Sequence, residues 1–239
     1  MATQFIFFDI GDVIFDENAQ HQWLFHQLLL TLWAHGKDVL WDDFNATRKR
    51  LTAQGPNPEA AIKGSLAFYC VNDSETEALW HEARDLYQQM RRPRPFGQLL
   101  DGITPVLMDL KQGFHLGIIA NQHPEVAQAL ADYGIAGLFD VIVISEIVHL
   151  FKPDPAIFQY GINEAEITPE EALFVGDRPD NDVGPAKAAG MKTVRFKRGI
   201  QYTLYNPTDP ALIADETVEN VEELAAAVRR VASSESKPA

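Results

Sequence analysis

Residues 174–191 read FVGDRPDNDVGPAKAAGM, and this stretch says most about the fold of the chain. It overlaps a short apolar run, ALFV at residues 172–175, which has the length and composition of a buried strand. Asp177 follows this run, and Asp182 lies five residues further on, before a segment rich in alanine that ends at Gly190. The pattern predicts a strand, a loop that carries two carboxylates, and a short helix stopped by glycine.

The elements around this stretch alternate between strands and helices. Apolar runs predict strands at residues 4–8, 115–120, 139–145 and 192–196, and helical spacing predicts helices at residues 97–112, 124–133, 155–164 and 218–231. Such alternation is typical of an α/β fold with a parallel sheet covered on both faces. Ligands of these folds bind beyond the carboxyl ends of the strands. The residues that directly follow predicted strands are therefore candidates for a site: Asp9, Asn121, Glu146 and Asp177.

One long helical region, residues 18–90, interrupts the alternation after the first strand. Its last segment places Leu79, Ala83 and Leu86 on one face, which is the spacing of an amphipathic helix. We therefore expect two domains. Residues 1–16 and 92–239 form an α/β core domain, and residues 17–91 form an inserted helical domain.

The candidate residues suggest a particular chemistry. Carboxylates gathered at one sheet edge, such as Asp9, Asp177 and Asp182, repel each other unless a cation lies between them. Mg²⁺ prefers hard oxygen ligands of this kind. Lys152 follows another predicted strand, where it could neutralise a carboxylate or bind a phosphoryl oxygen. Carboxylates, Mg²⁺ and a lysine around one point indicate phosphoryl transfer.

Three motifs carry a resemblance to a known family over nearly the whole chain. They are FFDIGDVIFD at residues 7–16, KPDPAIF at residues 152–158, and the 174–191 stretch. In this order they resemble the motifs of the haloacid dehalogenase-like (HAD) superfamily of hydrolases, and the helical insert resembles the family's cap. The resemblance implies a Rossmann-like three-layer α/β core with a central parallel sheet and an inserted all-helical cap.

The resemblance also implies roles for single residues. Asp9 would be the nucleophile, and Lys152 would balance the charge of nucleophile and substrate. Asp9, the backbone carbonyl of Gly11, and Asp177 would hold Mg²⁺, with Asp182 ligating directly or through water. The implied activity is that of a Mg²⁺-dependent phosphatase that acts on a small phosphorylated metabolite through an aspartyl-phosphate intermediate.

The sequence departs from the family pattern at two positions. Phosphatases that it resembles usually carry a general acid/base aspartate two residues after the nucleophile, where this chain has Gly11; Asp12 is one residue further on. The second family motif usually ends in a serine or threonine that binds the phosphoryl group, where this chain has Ala120. Asn121 follows, and its amide or backbone N–H is a candidate substitute for the hydroxyl.

These departures leave two functions open. Some relatives with glycine at the Gly11 position resemble sugar-phosphate phosphatases, which keeps turnover open. The alternative is a catalytically weakened HAD-fold protein that serves as a binding or regulatory module. Cleavage of carbon–phosphorus bonds is disfavoured because no cap lysine has a recognisable context. Carbon–halogen cleavage is disfavoured because the paired aspartates of the 174–191 stretch suit a metal.

Composition narrows the partners. The chain has 239 residues and a formal net charge of -14, so its surface repels phosphate backbones and nucleic acid is not an expected partner. The single cysteine, Cys70, rules out an internal disulfide and fits a reducing compartment. No apolar run approaches the length of a membrane helix. We expect a cytoplasmic monomer or homodimer that binds a small phosphorylated substrate and no membrane.

Overall fold

The computed structural model describes residues 3–91, 97–200 and 203–234. Within these ranges the strands, in chain order, are β1 (Phe5–Phe8), β2 (Phe15–Asp16), β3 (Gln98–Leu99), β4 (His115–Ala120), β5 (Val141–Ile144), β6 (Ala172–Gly176), β7 (Lys192–Phe196) and β8 (Glu216–Val218). The α-helices are α1 (Asn18–Ala34), α2 (Trp41–Thr52), α3 (Pro58–Ala67), α4 (Asp73–Arg91), α5 (Ile103–Lys111), α6 (Val126–Asp132), α7 (Ser145–Val148), α8 (Pro155–Glu164), α9 (Gly184–Ala188) and α10 (Val221–Ser233).

A parallel sheet forms the centre of the fold. Over the described residues it has six strands in the order β5-β4-β1-β6-β7-β8. Phe8 at the end of β1 lies opposite Ile118 of β4 and Val175 of β6, so the two neighbours of β1 bring their carboxyl ends close to its own. β1 and β6 are buried along their whole length, as expected for a sheet covered on both faces. The predicted α/β fold with a central parallel sheet is confirmed.

Packing against β1 explains one glycine in the neighbouring strand. The rings of Phe5 and Phe7 stack with their centroids 4.6 Å apart. A Cβ atom at Gly117 of β4 would lie 2.7 Å from the Phe7 ring. Because carbon atoms do not approach this closely without displacement, glycine at this position lets β4 pair with β1 beneath the two rings.

The described chain divides into two compact units. Unit 1 contains Met1–Asp16, Gln98–Arg198 and Pro207–Ala239, and it holds the parallel sheet. Unit 2 contains Glu17–Gly97 and Gly199–Asn206, and its helices are α1 to α4. The second segment of unit 2 lies in a part of the sequence that the domain prediction assigned to the core. The second predicted boundary, between residues 91 and 92, borders residues 92–96, which lie outside the described ranges.

Unit 2 has its own apolar core. The buried side chains come from all four helices and from the α1–α2 connection: Phe25, Leu28, Leu29, Leu32, Val39, Phe44, Ile62, Leu66, Leu79, Trp80 and Ala83. Ile200 of the second segment packs against this core, and its backbone N–H donates to Asn18 Oδ1 over 2.8 Å. The segment that contains Ile200 is therefore tied to α1 by a hydrogen bond as well as by apolar contact.

Several predicted elements differ from the structure. The helix predicted over residues 97–112 was wrong in its first third, because Gln98–Leu99 pairs antiparallel with Phe15–Asp16 and α5 begins only at Ile103. The helix predicted from residue 218 begins at Val221, after the short strand β8. Both missed strands have only two or three residues, which is too short to show a period-2 pattern. Among the helices of residues 3–91, 97–200 and 203–234, none has the length and apolar character that a bilayer-crossing helix needs.

Candidate active site

Asp9 and Asp177 lie side by side at the carboxyl edge of the sheet. Asp9 directly follows β1, and its backbone N–H donates to the carbonyl of Val175 in β6 over 2.9 Å. Asp177 directly follows β6. Because β1 and β6 are parallel neighbours, the strand ends bring the two carboxylates together. The sequence expectation that residues following strands would meet at one edge is met by this pair.

Asp182 joins them through the loop after β6. This loop forms one π-helical turn, Pro179–Val183, so that the Asp182 carboxylate turns back towards the strand end. Its Oδ2 accepts from the backbone N–H groups of Asp177 (3.2 Å) and Arg178 (3.0 Å). A Cβ atom at Gly176 would lie 2.5 Å from the Asp182 Cβ, so only glycine leaves room for the side chain here. Carboxylate oxygens of Asp9, Asp177 and Asp182 lie within 4.8 Å of one another.

Lys152 places a positive charge among these carboxylates. It precedes α8, whose start is fixed by Pro155 and by Asp154, which accepts from the backbone N–H of Ala156 over 2.9 Å. The Lys152 side chain is buried, and its Nζ lies 2.8 Å from Asp9 Oδ1 and 2.6 Å from Asp182 Oδ1. The Nζ atom also lies 5.4 Å from the centre of the Phe174 ring. Lys152 therefore bridges two of the three carboxylates.

Asn121 holds the backbone of Lys152. Its Nδ2 donates to the Lys152 carbonyl and its Oδ1 accepts from the Lys152 N–H, both over 2.8 Å. The side-chain amide that we considered as a substitute for the missing hydroxyl is therefore already used in positioning Lys152. Ala120, where the family pattern has that hydroxyl, is fully buried at the end of β4.

The turn after β1 contains the other departure from the family pattern. Gly11 forms an isolated bridge with Phe15, and Asp12 adopts a left-handed conformation with φ 52°. The Asp12 side chain is fully buried, and its charge contributes to raising the pKa of Asp177. Asp12 therefore lies within electrostatic range of the carboxylates but is shielded from solvent, a poor position for a group that must exchange protons with an entering substrate.

The pKa values of the site follow from burial and charge. Burial raises the pKa of Asp9 above its ordinary value, although the Lys152 charge opposes this effect. Burial, followed by the charges of Asp182 and Asp9, raises the pKa of Asp177 well above its ordinary value. The pKa of Asp182 is lowered despite its burial because the Lys152 charge and hydrogen bond favour the carboxylate. The neighbouring carboxylates raise the pKa of Lys152 although burial opposes them.

These groups fit a divalent cation. Three carboxylates against the single ammonium group of Lys152 leave two negative charges uncompensated. Asp177 Oδ2 is buried and has no hydrogen-bond partner among the described residues. A buried carboxylate oxygen without a partner is costly, and a hard cation with oxygen ligands removes that cost. Asp177 is the member of the cluster best placed to bind it, because Asp9 and Asp182 each give an oxygen to Lys152.

Two further residues at the site, Arg195 and Gly176, were missed by sequence reasoning. Arg195 of β7 is buried, and its Nε donates to the backbone carbonyl of Asp177 over 3.2 Å. Gly176 admits the Asp182 side chain, as described above. An arginine within the apolar strand KTVRF is the one signal in the sequence that pointed to Arg195, because a charge in a buried strand needs a partner.

His123 follows the second motif and pairs with Glu146 over 2.7 Å, with both side chains largely exposed.

A parallel sheet with carboxylates beyond its strand ends is typical of α/β enzymes that bind their ligands at that edge. The family model of the haloacid dehalogenase-like hydrolases matches residues 3–190. The chain therefore belongs to the haloacid dehalogenase-like hydrolases, as its motifs predicted.

Relatives within this family include named phosphatases. The chain is 36% identical to the glyceraldehyde 3-phosphate phosphatase of Methanopyrus kandleri over 132 residues, which are 54% of this chain and 56% of that protein. The similarity thus spans about half the length of this relative. The chain is 28% identical to the phosphoserine phosphatase of Thermus thermophilus over 227 residues, which cover 90% of this chain and 81% of that protein.

Solved structures show the same fold. The chain resembles the magnesium-bound HAD-family protein YfnB from Bacillus subtilis with a TM-score of 0.64 and 21% identity, over 95% of this chain and 99% of that protein. At this level of identity the likeness concerns the fold, and it confirms the α/β core with its helical part.

Proposed function

We propose that this chain is a Mg²⁺-dependent phosphatase of a small phosphorylated metabolite, with Asp9 as the nucleophile. The observation that carries the proposal is the arrangement of Lys152. Its buried ammonium group binds one oxygen of Asp9 and one of Asp182, while Asp177 Oδ2 has no partner among the described residues. The names of the relatives support phosphatase chemistry within the family.

In this proposal each residue has a defined task. A carboxylate oxygen of Asp9 attacks the phosphorus atom, the ester P–O bond breaks, and the leaving oxygen takes a proton from water because residue 11 is glycine. Water then hydrolyses the aspartyl-phosphate and restores the carboxylate. Lys152 orients Asp9 and neutralises charge on the phosphoryl oxygens. The divalent cation supplies further charge neutralisation at the phosphoryl group when it is bound.

The proposed metal ligands are Asp9, the backbone carbonyl of Gly11, and Asp177. Asp182 takes part through its hydrogen bonds to Lys152 and to the loop backbone, with any contact to the metal made through water. Asn121 acts as a positioning residue for Lys152. Unit 2, which contains the predicted cap, is proposed to set the choice of substrate.

One observation favours a second function. No carboxyl group stands at residue 11 and no hydroxyl at residue 120, so two groups that usually handle the phosphoryl transfer are replaced. General acid–base catalysis contributes about 10²–10⁴-fold to such reactions. A chain without it could retain the cation and ligand sites while serving as a binding or regulatory module.

Phosphate release from a broad panel of phosphorylated metabolites separates the two functions. We would compare the wild type with Asp9→Asn, each with Mg²⁺ and with chelator, and use Asp180→Asn from the same loop as a control that leaves the carboxylate cluster intact. The phosphatase proposal expects Mg²⁺-dependent release that Asp9→Asn abolishes and Asp180→Asn retains. If no substrate is turned over above the Asp9→Asn background, the phosphatase proposal fails for this panel and the binding module is favoured.

A further inference from the structure

Unit 2 contains a cavity whose described lining residues all belong to that unit. The cavity measures about 520 Å³, which lies in the range of small-molecule binding sites. Side chains from α1 and α2 line it together with residues of the Gly199–Asn206 segment. We call it the Arg48 pocket, and the residues that matter to its chemistry are Phe25, His26, Trp41, Arg48, Lys49 and Leu204.

Arg48 is a buried cation that has no acidic partner among the described residues. Its side chain is 2% exposed, and its guanidinium carbon lies 4.1 Å from the centre of the Phe25 ring. Nε and Nη2 share one acceptor, Asn45 Oδ1, at 3.3 and 2.8 Å, and Nη1 has no hydrogen-bond partner among the described residues. Burial alone lowers the pKa of Arg48 to about 10, with no carboxylate of the described residues opposing the shift.

Such an arginine points to a ligand. Arginine is almost never fully buried unless it is paired, because its charge must be compensated once water is removed. Here the polar partner of the guanidinium group within the described part of the chain is a neutral amide, that of Asn45. One edge of the guanidinium fork therefore still has donors to offer, and a carboxylate or phosphate is the group whose geometry matches that fork.

The charged residues that line the pocket also favour an anionic ligand. Acidic residues outnumber basic ones in the chain by 34 to 20, yet the described residues that line the pocket include Arg48 and Lys49 and no aspartate or glutamate. Aromatic and aliphatic side chains supply the apolar part of the lining. His26 and Trp41 stack with centroids 4.2 Å apart and planes 11° from parallel, and Leu204 adds an aliphatic wall. The pocket thus combines positive charge with a flat apolar surface.

We propose that the Arg48 pocket binds a small organic anion, whose carboxylate or phosphate group is held by Arg48 and whose apolar body lies against Trp41 and Leu204. Lys49 adds a second positive charge near the anionic group. This site goes beyond the proposed phosphatase function, because it would hold its anion with Arg48 and Lys49 and without any residue of the carboxylate cluster.

Calorimetric titration of the full chain in chelator tests this proposal with three probes of one shape. Phenylacetate offers a carboxylate, benzylphosphonate a non-hydrolysable phosphate-like group, and phenylacetamide a neutral control. The wild type should bind at least one of the two anions about tenfold more tightly than the amide, since charge-assisted hydrogen bonds to arginine are lost in the neutral compound. The preferred anion then shows whether the pocket favours a carboxylate or a phosphate group.

Variants place the binding at Arg48. Arg48→Met should lower the affinity for the preferred anion by about tenfold or more and keep the thermal stability, because an apolar side chain replaces a buried charge. Arg50→Met is the matched control, since Arg50 is exposed on the same helix, and it should leave the affinity unchanged. Arg48→Lys keeps the charge without the fork and should bind with intermediate affinity, which provides a test if Arg48→Met does not fold.

Three results overturn the proposal. The first is wild-type chain that binds neither anion more tightly than phenylacetamide. The second is anion binding that survives Arg48→Met, which would place the anion elsewhere, for example at Lys152. The third is an equal loss of affinity in Arg48→Met and Arg50→Met, which would indicate a diffuse charge effect. None of these results depends on phosphate release, so the proposal can fail while the phosphatase function stands.

Discussion

Lys152 donates to Asp182 over 2.6 Å, and both side chains are almost completely inaccessible to solvent. Two segments thirty residues apart thus meet in a buried ion pair at the carboxyl edge of the sheet. Asp182 contributes its second oxygen to the backbone N–H groups of Asp177 and Arg178. The pair therefore fixes the position of the lysine and the shape of the loop at once.

Asp182→Asn should destabilise the protein strongly. Lys152 would keep Asp9 as its remaining carboxylate partner, but the amide offers only one oxygen where Lys152 and the two loop N–H groups need two, so buried donors are left without an acceptor. Removing one partner of a buried ion pair typically costs about 3–5 kcal/mol. Chemical denaturation in chelator measures the loss. Asp180→Asn is the control, because Asp180 pairs with the half-buried Arg178 in the same loop, where solvent screens the pair, and its loss should cost less than that of the buried pair. Equal losses in the two variants would contradict a special role for the buried pair.

In the metal-free protein, unlike Asp182, Asp177 should lower the stability of the folded state as the pH rises. Its folded pKa is raised well above the unfolded value, chiefly by burial. A group of this kind contributes stability below its unfolded pKa, near 3.8, and loses that contribution as the pH rises through the folded pKa. Asp177→Asn removes the titration. The stability of Asp177→Asn relative to wild type should therefore increase as the pH is raised from about 4 to 7.

Denaturation curves at several pH values in chelator check this slope. Any constant cost of the amide cancels, because only the change of the difference with pH is compared. A difference that stays constant or falls with pH would show that Asp177 is not held in a desolvated, negatively charged setting.

In the wild type, Mg²⁺ should restore the stability that is lost when Asp177 ionises. A cation that binds the ionised carboxylates stabilises the folded state by about 2.7 kcal/mol when it is present at a hundredfold excess over its dissociation constant. The melting temperature should rise with MgCl₂ and return with chelator. Asp177→Asn should lose this rise, and Asp180→Asn should keep it. NaCl at matched ionic strength controls for screening, and an equal rise with NaCl would argue against a specific metal site.

Much of unit 1 was predictable from local sequence. The strand at residues 115–120, the helix at residues 155–164 and the strand at residues 192–196 begin and end where the sequence placed them. Their signals are continuous apolar runs and an aspartate–proline helix start, which depend on neighbouring residues alone. The pairing of Phe15 with Leu99 was not predictable, because it joins two residues far apart in sequence through a strand of two residues.

The candidate site, too, was predictable in part. Positions at strand ends could be predicted, since a parallel sheet brings its carboxyl ends to one edge. The partners of each side chain could not. Asn121 was considered as a ligand for substrate, but its amide faces the backbone of Lys152, because the loop before α8 crosses it there. The buried, unpaired Arg48 of unit 2 has no sequence signal at all, since its burial depends on how α1 and α2 pack.

The hydrogen bonds of Asn121 should matter for catalysis through Lys152. Asn121→Ala leaves the N–H and the carbonyl of Lys152 without their partner, and two such bonds contribute about 1–3 kcal/mol together. Because these bonds position Lys152, and Lys152 in turn orients Asp9, turnover should fall more than substrate affinity, so that kcat decreases and KM changes little. The Mg²⁺-induced rise in melting temperature should survive, since the side-chain hydrogen bonds of Asn121 go to the Lys152 backbone and not to a proposed metal ligand. Asn163→Ala, which removes one exposed bond to Gln159, is the control and should change neither stability nor kcat. If Asn121→Ala raised KM with kcat unchanged, Asn121 would be binding substrate directly rather than positioning the lysine.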